Sequence, residues 1–467
     1  MNNSWRVVAA ALGLLLSIWA GLVGAAPPRP QLNPQVEVEE EVYQYVPAGN
    51  GAGPMWCHGN TCLIRVGDDC FASGLTTVPA AKPLNNCLPL LFFRKDQGGW
   101  KEVYRGNGRT REPSPLGLFP GGPLLMSINP TLLTSADVYS GPARPQVLQF
   151  DPAQPGQPTR TLTPDWQGSP RFTEHSYRSF AVDGPRRELI LLQNIGYTHA
   201  EWTFRDAEGH WSARGRLDWP SDPSAEKPQP IRTCYPAGAL RDRQVHFFGV
   251  GDIVGPNQAW REYKKKTTGR AWDYVFRRLF YTWSDDITTG QFHDWVEVAN
   301  YEATAGKMFP GDLYLKPGGD VYLLWREQSI DPRLKETFFP EAKQRHRLQF
   351  VVLRDGRIVS ESSLVVGGDG YDAVRPGTAR FQVTEDGRVF IIYHVAGQRG
   401  SATPFTENRL VEVLADGTVG DSVRVPLTRP LADFYTATVR AGCRPSRVLD
   451  LLGTEGQTVR YARVRLW

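Results

Sequence analysis

Two short stretches of the sequence bring histidine and tyrosine together at the spacing of an extended chain. His175 and Tyr177 are two residues apart and are followed by Arg178, and Tyr197 and His199 repeat the spacing. Residues two apart in a strand point to the same side, so each pair can face one ligand. A neutral imidazole accepts a proton near neutral pH, and a phenol can donate one. We predict that His175, Tyr177, His199 and Tyr197 are catalytic; a structural role in the core or a loop is the alternative.

Further polar side chains stand where predicted strands begin or end. The fork of a guanidinium matches carboxylate and sulfate groups, which favours an acidic polysaccharide as the partner. The stretch 261–278 holds seven basic and two acidic residues. Beside a site it would attract a polyanion, although a solvated surface loop can have the same composition. The predicted substrate-binding residues are Arg178, Arg232, Tyr235, Arg326, Arg380 and His394.

The elements that must position these residues form a repeat of paired β-hairpins. Asp386-Gly387 and Asp416-Gly417 each stand between two alternating apolar runs, which is a strong hairpin signal. Comparable pairs recur through the chain, and the segment 36–46 can complete the last one. The pattern predicts an all-β fold, a β-propeller of seven four-stranded blades, with six blades as the alternative.

Long insertions at 251–277, 326–346 and 396–408 all fall between the second and third strands of a predicted blade. In a propeller these loops share one face, and long loops on a rigid scaffold usually build a binding site. The sequence therefore predicts a single functional face. Helical pattern is scarce, and the one predicted helix lies within 331–347.

The segment 281–295, YTWSDDITTGQFHDW, resembles the aspartate box of the sialidase-like propellers, the bacterial neuraminidase repeat families. Ser284, Asp286, Gly290 and Trp295 can fill the positions of that motif, with two extra residues in each of two gaps. The resemblance implies a propeller in which Asp286 stabilises a turn. The layout is also similar to propeller polysaccharide lyases, which use His and Tyr near the pore and Arg to neutralise a uronate.

Three functions fit these residues. The preferred one is a lyase that removes the proton beside a uronate carboxyl group and expels the 4-linked oxygen. The first alternative is a sialidase-type glycoside hydrolase, in which Glu327 and a cluster of Arg178, Arg232, Arg326 and Arg380 would act. The second is a propeller that only binds glycans or proteins. No cofactor and no metal are predicted, and the glycan and the oligomeric state stay open.

The ends and the cysteines indicate export. Residues 1–25 are a predicted signal peptide, 26–35 a Pro-rich linker, and 36–467 a single propeller domain. The mature protein is predicted to be secreted or periplasmic, without stable membrane association. Six cysteines in an exported chain favour disulfides, in any of 15 pairings, and His58 beside Cys57 is interpreted as structural. The net charge of +4 argues against nucleic-acid binding.

Overall fold

The computed structural model describes residues 30–221, 228–270 and 273–467. Seven four-stranded antiparallel sheets stand in a ring, with 49% of the chain in strands and 6% in helices. The predicted seven-bladed β-propeller is therefore confirmed. The predicted signal peptide lies outside the described residues, as does Trp272 of the basic stretch.

The strands are numbered along the chain. The first fifteen are β1 (Gln35–Gln44), β2 (Leu63–Val66), β3 (Asp69–Thr77), β4 (Cys87–Arg94), β5 (Trp100–Arg105), β6 (Leu116–Leu118), β7 (Leu124–Ile128), β8 (Gln146–Phe150), β9 (Arg160–Leu162), β10 (Ser179–Asp183), β11 (Glu188–Ile195), β12 (His199–Arg205), β13 (Ala213–Asp218), β14 (Thr233–Arg241) and β15 (Gln244–Gly251).

The second half continues in the same way. Its strands are β16 (Ile253–Val254), β17 (Tyr274–Val275), β18 (Arg278–Ser284), β19 (Val296–Asn300), β20 (Lys307–Leu315), β21 (Val321–Gln328), β22 (Arg345–Arg354), β23 (Arg357–Gly368), β24 (Ala373–Val383), β25 (Val389–Gln398), β26 (Phe405–Val413), β27 (Val423–Val425), β28 (Phe434–Thr436), β29 (Val448–Glu455) and β30 (Thr458–Arg465). The helices are α1 (Gln258–Thr268) and α2 (Pro332–Phe338), with 3-10 turns at Ile287–Thr289 and Glu302–Thr304.

The ring closes through strands from both ends of the chain. Blade 1 is β2–β5, blade 2 β6–β9, blade 3 β10–β13, blade 4 β14, β15, β18 and β19, blade 5 β20–β23, blade 6 β24–β27, and blade 7 β28–β30 with β1. The first strand of every blade contacts the first strands of both neighbours, including β2 with β28. β1 pairs with β30 over most of its length. The prediction that segment 36–46 completes the last blade is confirmed.

Each blade is buried on both sides because it packs between two neighbours. β25 shows how the sequence meets this demand. Its residues Ile391 and Tyr393 join one inter-blade core, whereas Phe390 and Ile392 join the next. Alternate side chains of a strand point to opposite faces, so both sets must be apolar. The run Val389–Val395 is therefore almost continuously apolar.

The loops between second and third strands and the links between blades share what we call the upper face. The insertion of blade 4 holds a short β16–β17 ribbon and α1, and that of blade 5 holds α2. The predicted helix at 331–347 is shorter, because Pro340 follows α2 closely and β22 begins at Arg345. The sequence did not predict α1, whose lysine-rich surface gives only a narrow apolar stripe. Within the described residues, no helix is long and apolar enough to cross a membrane.

The six cysteines are all buried and all free thiols in the described structure, so the predicted disulfides are not observed. Their sulfur atoms contact polar groups instead. Cys70 donates to Asp450 at 3.7 Å, and Cys234 donates to Asp252 at 3.4 Å. Burial raises the pKa of Cys70 to about 12 and that of Cys87 to about 11. Cys70 and Cys87 are therefore protonated at neutral pH, which makes their thiols weak nucleophiles.

The aspartate-box segment forms a stabilised turn on the lower face, between β18 and β19. The Asp286 carboxylate accepts hydrogen bonds from the backbone N–H of Thr288 at 2.9 Å and from its hydroxyl at 2.7 Å. Gly290 ends the turn with φ 75°, and Trp295 packs against the core of blades 3 and 4. Asp286 thus has the turn-stabilising geometry that the resemblance implies.

We expect Asp286→Ala to lower the free energy of unfolding by about 1 kcal/mol, because the backbone N–H and the hydroxyl group of Thr288 lose their acceptor. The measurement is equilibrium unfolding in urea. Asp294→Ala, at an exposed position of the same turn, is the matched control and should cost less than about 0.5 kcal/mol. Equal losses for both variants would contradict the capping role.

Candidate functional site

A loop that precedes blade 1 passes through the centre of the ring and carries His58. We call residues 56–61 the axial loop. The Asn60 amide donates to the Arg178 carbonyl at 2.8 Å, and its side-chain oxygen accepts from the Phe180 N–H at 2.8 Å. Gly59 lies so close to blade 4 that a Cβ there would stand 2.1 Å from the Pro236 carbonyl oxygen. Only glycine fits this crossing.

Two buried arginines fix the axial loop from the opposite side. Arg380 on β24 donates to the His58 carbonyl at 2.6 Å and to the Phe434 carbonyl at 3.2 Å. Arg440 donates to the Gly59 carbonyl at 2.8 Å and forms an ion pair with Asp312. The backbone of His58 is therefore held by blades on both sides of the axis.

Three residues at this centre have left-handed backbone conformations that non-glycine residues rarely adopt. They are His58 with φ 27°, Tyr177 with φ 37° and Tyr235 with φ 52°. Tyr235 lies where β14 has a bulge, between Cys234 and Ala237. Bulges re-aim side chains, and backbone strain of this kind concentrates at functional sites.

Six rings meet on the upper face, and we call them the axial cluster. Tyr235 is their common neighbour. Its ring centroid lies 4.3 Å from that of His58, 5.4 Å from Tyr177 and 5.5 Å from Phe276. The members are Trp56, His58, Tyr177, Tyr235, Phe276 and Phe309. Burial raises the pKa of both Tyr177 and Tyr235, so both phenols hold their protons at neutral pH.

Cations surround the axial cluster. Arg111 lies 4.5 Å from the ring centroid of Trp56, and Arg232 lies 5.2 Å from that of Tyr177. Lys307 and Arg326 lie 4.7 Å and 5.3 Å from the ring centroid of Phe309. Such contacts orient the cations without neutralising them. The centre of the upper face is thus aromatic, and Lys307 and Arg326 are cations there that have no ion-pair partner among the described residues.

Arg326 differs from the other arginines near the axis. Its guanidinium makes no hydrogen bond or ion pair with any described residue. Burial lowers its pKa, and the charge of Arg380 lowers it further, against the opposing effect of Asp433. A half-buried cation without a bonded counterion is available to form charge-assisted hydrogen bonds with an anion that enters the site.

His58 is a neutral imidazole in this environment. Burial lowers its pKa to about 4; Asp433 opposes the shift, whereas Arg380 and Arg326 add to it. Its Nε2 atom has no hydrogen-bond partner among the described residues. A neutral, half-buried imidazole beside two protonated phenols is suited to proton transfer.

The structure separates the two predicted His–Tyr pairs. Tyr177 joins the axial cluster, and His175 borders it, with ring centroids 6.4 Å apart. His175 Nδ1 lies 2.9 Å from a Glu174 carboxylate oxygen. Burial acts to raise the pKa of Glu174, but hydrogen bonds from His175, Ser140 and Gly141 outweigh it and lower this pKa to about 2.

The second pair lies farther out, on blade 3. His199 Nε2 lies 3.1 Å from a Glu201 oxygen, and its Nδ1 lies 2.6 Å from the Thr198 hydroxyl. Tyr197 has a different neighbour: its ring centroid lies 4.0 Å from the Arg232 guanidinium. The two side chains therefore contact different partners in the structure.

The predicted substrate-binding residues differ in where they lie and in what they contact. Tyr235 and Arg326 stand at the axial cluster, and Arg326 also lowers the pKa of His394, which burial reduces to about 4. Arg178 and Arg380 are buried and donate to backbone carbonyls, so they support the site from below. Arg232 is buried and ion-paired with Asp252.

The basic stretch 261–278 loses much of its charge to internal ion pairs. Lys264 is buried, 2.5 Å from Asp273, and Arg277 pairs with Glu302 at 3.1 Å. Arg278 is also ion-paired. Aromatic contacts between Trp260 and the α2 end of the blade 5 insertion join the two insertions. This stretch therefore builds a packed wall, with Lys265, Lys266 and Arg270 left at the surface.

His58, Trp56 and Lys307 belong to the site, but none of them is among the site residues predicted from the sequence. No catalytic motif marks these three residues in the sequence. His58 and Trp56 lie in the axial loop, which reaches the centre through contacts with residues more than a hundred positions away. One signal was available: Gly59 and Asn60 follow His58 in a short segment between predicted strands. Glycine and asparagine there are consistent with a tight crossing.

Comparisons with known proteins find similarity at the level of the fold. No protein-family model matches the chain, and no curated protein matches its sequence. An α-L-arabinanase from Penicillium chrysogenum, solved with arabinobiose, is 13% identical, with 93% of this chain and 99% of that chain covered and a TM-score of 0.40. The polysaccharide lyase Uly1 is 10% identical, with 88% and 90% covered and a TM-score of 0.45.

A sialidase from Trypanosoma rangeli, solved with sialic acid, is 10% identical, with 77% of this chain and 55% of that chain covered and a TM-score of 0.36. Structures that this chain resembles thus include carbohydrate-active propellers. At such identities and TM-scores the likeness concerns architecture and does not bear on the reaction. The seven-bladed β-propeller is established by the structure of the chain itself.

Proposed function

We propose that this chain binds an acidic polysaccharide at the axial cluster and cleaves it by β-elimination beside a uronate. The observation that carries the proposal is Arg326, a half-buried guanidinium that forms no hydrogen bond or ion pair with a described residue and lies over the Phe309 ring of the cluster. A uronate carboxylate supplies the planar anion that this fork matches. Lys307 adds a second positive charge on the same side.

The aromatic rings of the axial cluster favour a sugar as the molecule that carries the carboxylate. Trp56, Tyr177 and Tyr235 present half-buried aromatic surface around the axis. Aromatic rings with a polar handle bind the apolar face of a sugar while their hydroxyl groups meet its oxygens. A carboxylate on Arg326 would hold such a ring against Tyr235 and His58.

The proposed reaction uses three groups of this chain. Arg326 neutralises the carboxylate, which makes the neighbouring C5 proton more acidic. The neutral imidazole of His58 takes that proton, the C5–H electrons form the C4–C5 double bond, and the C4–O bond breaks. The Tyr235 phenol gives its proton to the leaving oxygen. Proton return from His58 to Tyr235 through solvent restores the site, so no oxidant or reductant is needed.

The test is incubation of the purified protein with a panel of uronate polymers while the ultraviolet absorbance of the unsaturated product is followed. We expect absorbance to rise with at least one polymer and not with the same polymer after reduction of its carboxyl groups. Binding without product would leave a glycan-binding propeller. Neither binding nor product on any acidic glycan would overturn the proposal.

A sialidase-type hydrolase is the second candidate, because Tyr301 donates to Glu327 at 2.7 Å. Glu327 also accepts from Trp325 and Arg347, and it is buried. Burial raises the pKa of Tyr301, which works against a phenolate nucleophile. The predicted arginine cluster does not form around Glu327, since Arg178 and Arg380 bond to carbonyls elsewhere. New reducing ends without ultraviolet absorbance would favour this candidate.

A further inference from the structure

Beyond the axial cluster, two tyrosines from different blades contact each other on the upper face. Tyr197 lies in the turn between β11 and β12 of blade 3, and Tyr274 lies in the ribbon of blade 4. Their hydroxyl groups are hydrogen-bonded at 2.8 Å. Their ring centroids are 6.3 Å apart with an angle of 27° between the planes. The two rings are stacked and linked through their hydroxyl groups, and we call the pair the tyrosine platform.

The platform is supported from one side by Arg232. The guanidinium lies 4.0 Å from the Tyr197 ring centroid and 5.6 Å from that of Tyr274. Arg232 is itself buried and ion-paired with Asp252, so it cannot move out to a ligand. Arg232 covers one side of the Tyr197 ring, and the residue is still 50% exposed to solvent.

The same guanidinium links the platform to the axial cluster. Arg232 also lies 5.2 Å from the ring centroid of Tyr177, which belongs to the cluster. The platform and the cluster are thus neighbours on one face, joined by a fixed cation. A tyrosine ring offers an apolar face beside a polar hydroxyl group, and sugar rings are suitable partners for such a surface.

We infer that the tyrosine platform is an outer subsite that binds a further sugar ring of the polysaccharide by stacking on Tyr197. This inference rests on the proposed function and extends it: the substrate is a chain that occupies the axial cluster and the platform together. Stacking recognises the apolar side of a ring, so this subsite needs no carboxylate. Arg232 thereby has a supporting role in binding, although it does not touch the substrate.

The test compares polymer with the shortest cleavable oligosaccharide as substrates. We expect Tyr197→Ala to raise KM for the polymer about five- to tenfold, with kcat unchanged and with little effect on the short substrate. Tyr197→Phe keeps the ring and should stay within about twofold of wild type on both. Tyr139→Ala is the matched control, since Tyr139 is an exposed tyrosine beside a lysine but has no contact with the cluster among the described residues.

The outcomes separate this inference from the proposed function. If the wild type cleaves acidic glycans and Tyr197→Ala matches it on polymer and oligosaccharide alike, the platform is not a subsite and the proposed function stands. If Tyr139→Ala raises the polymer KM as much as Tyr197→Ala, the effect is not specific and the inference fails. If the wild type neither binds nor cleaves any acidic glycan, both fall.

Discussion

Arg326→Ala is expected to lower kcat/KM on a uronate polymer by about 10²- to 10³-fold, the loss typical of removing one group that stabilises charge in a transition state. The guanidinium is half-buried and has no bonded counterion among the described residues, so its charge is available to the carboxylate. Arg326→Lys keeps the charge but loses the forked guanidinium, and its kcat/KM should lie between those of the wild type and Arg326→Ala. Steady-state kinetics by product absorbance measure the effect.

Stability distinguishes this role from a structural one. Because Arg326 bonds to no described residue, its removal leaves no orphaned partner, and Tm should be unchanged or higher. Arg354→Ala is the control, an exposed arginine paired with Asp320 on the lower face, and should keep wild-type kinetics. Wild-type turnover by Arg326→Ala, or a fall in Tm that parallels the loss of activity, would contradict the assignment.

His58→Gln is expected to lower kcat by about 10²- to 10⁴-fold, the usual contribution of a general base. The pH dependence of the wild type carries more information. Burial lowers the pKa of His58 to about 4, and the base acts in its neutral form. Activity should therefore be flat from about pH 7 down to pH 5 and fall as pH drops through about 4. An ordinary exposed histidine would lose activity near pH 6.5.

His293→Gln is the matched control for this substitution, because His293 lies in the aspartate-box turn on the lower face and bonds to Asp285. It should leave kcat and the pH profile unchanged. An acid limb near pH 6.5 in the wild type, or full activity in His58→Gln combined with its loss in His199→Gln, would show that the base is one of the histidines that the sequence analysis favoured.

Sequence patterns predicted the architecture because the propeller is built from local signals. The Asp-Gly turns, the alternation around them and the even spacing of the hairpins require no knowledge of distant contacts. The role of segment 36–46 followed from counting, since one hairpin pair lacked a partner strand. The single loop-rich face followed from topology, because insertions between second and third strands must emerge on one side.

Side-chain direction could not be predicted in the same way. Bulges in β14, β20 and β24 shift the register near the upper face, and a shift of one residue sends a side chain to the other side of the strand. Arg326 and Tyr235 reach the site, whereas Arg178 and Arg380 turn inward to backbone carbonyls. From sequence, all of these look equivalent.

The sequence by itself determined that this chain closes into a ring of repeated hairpins with one loop-rich face, because short-range turn chemistry and strand alternation decide both. Only the tertiary structure shows that His58 is the histidine that lies near Arg380 and Arg326. His58 reaches the axis only because Asn60, Arg380 and Arg440 hold its loop across the ring. Those contacts join residues more than a hundred positions apart, and no local pattern records them.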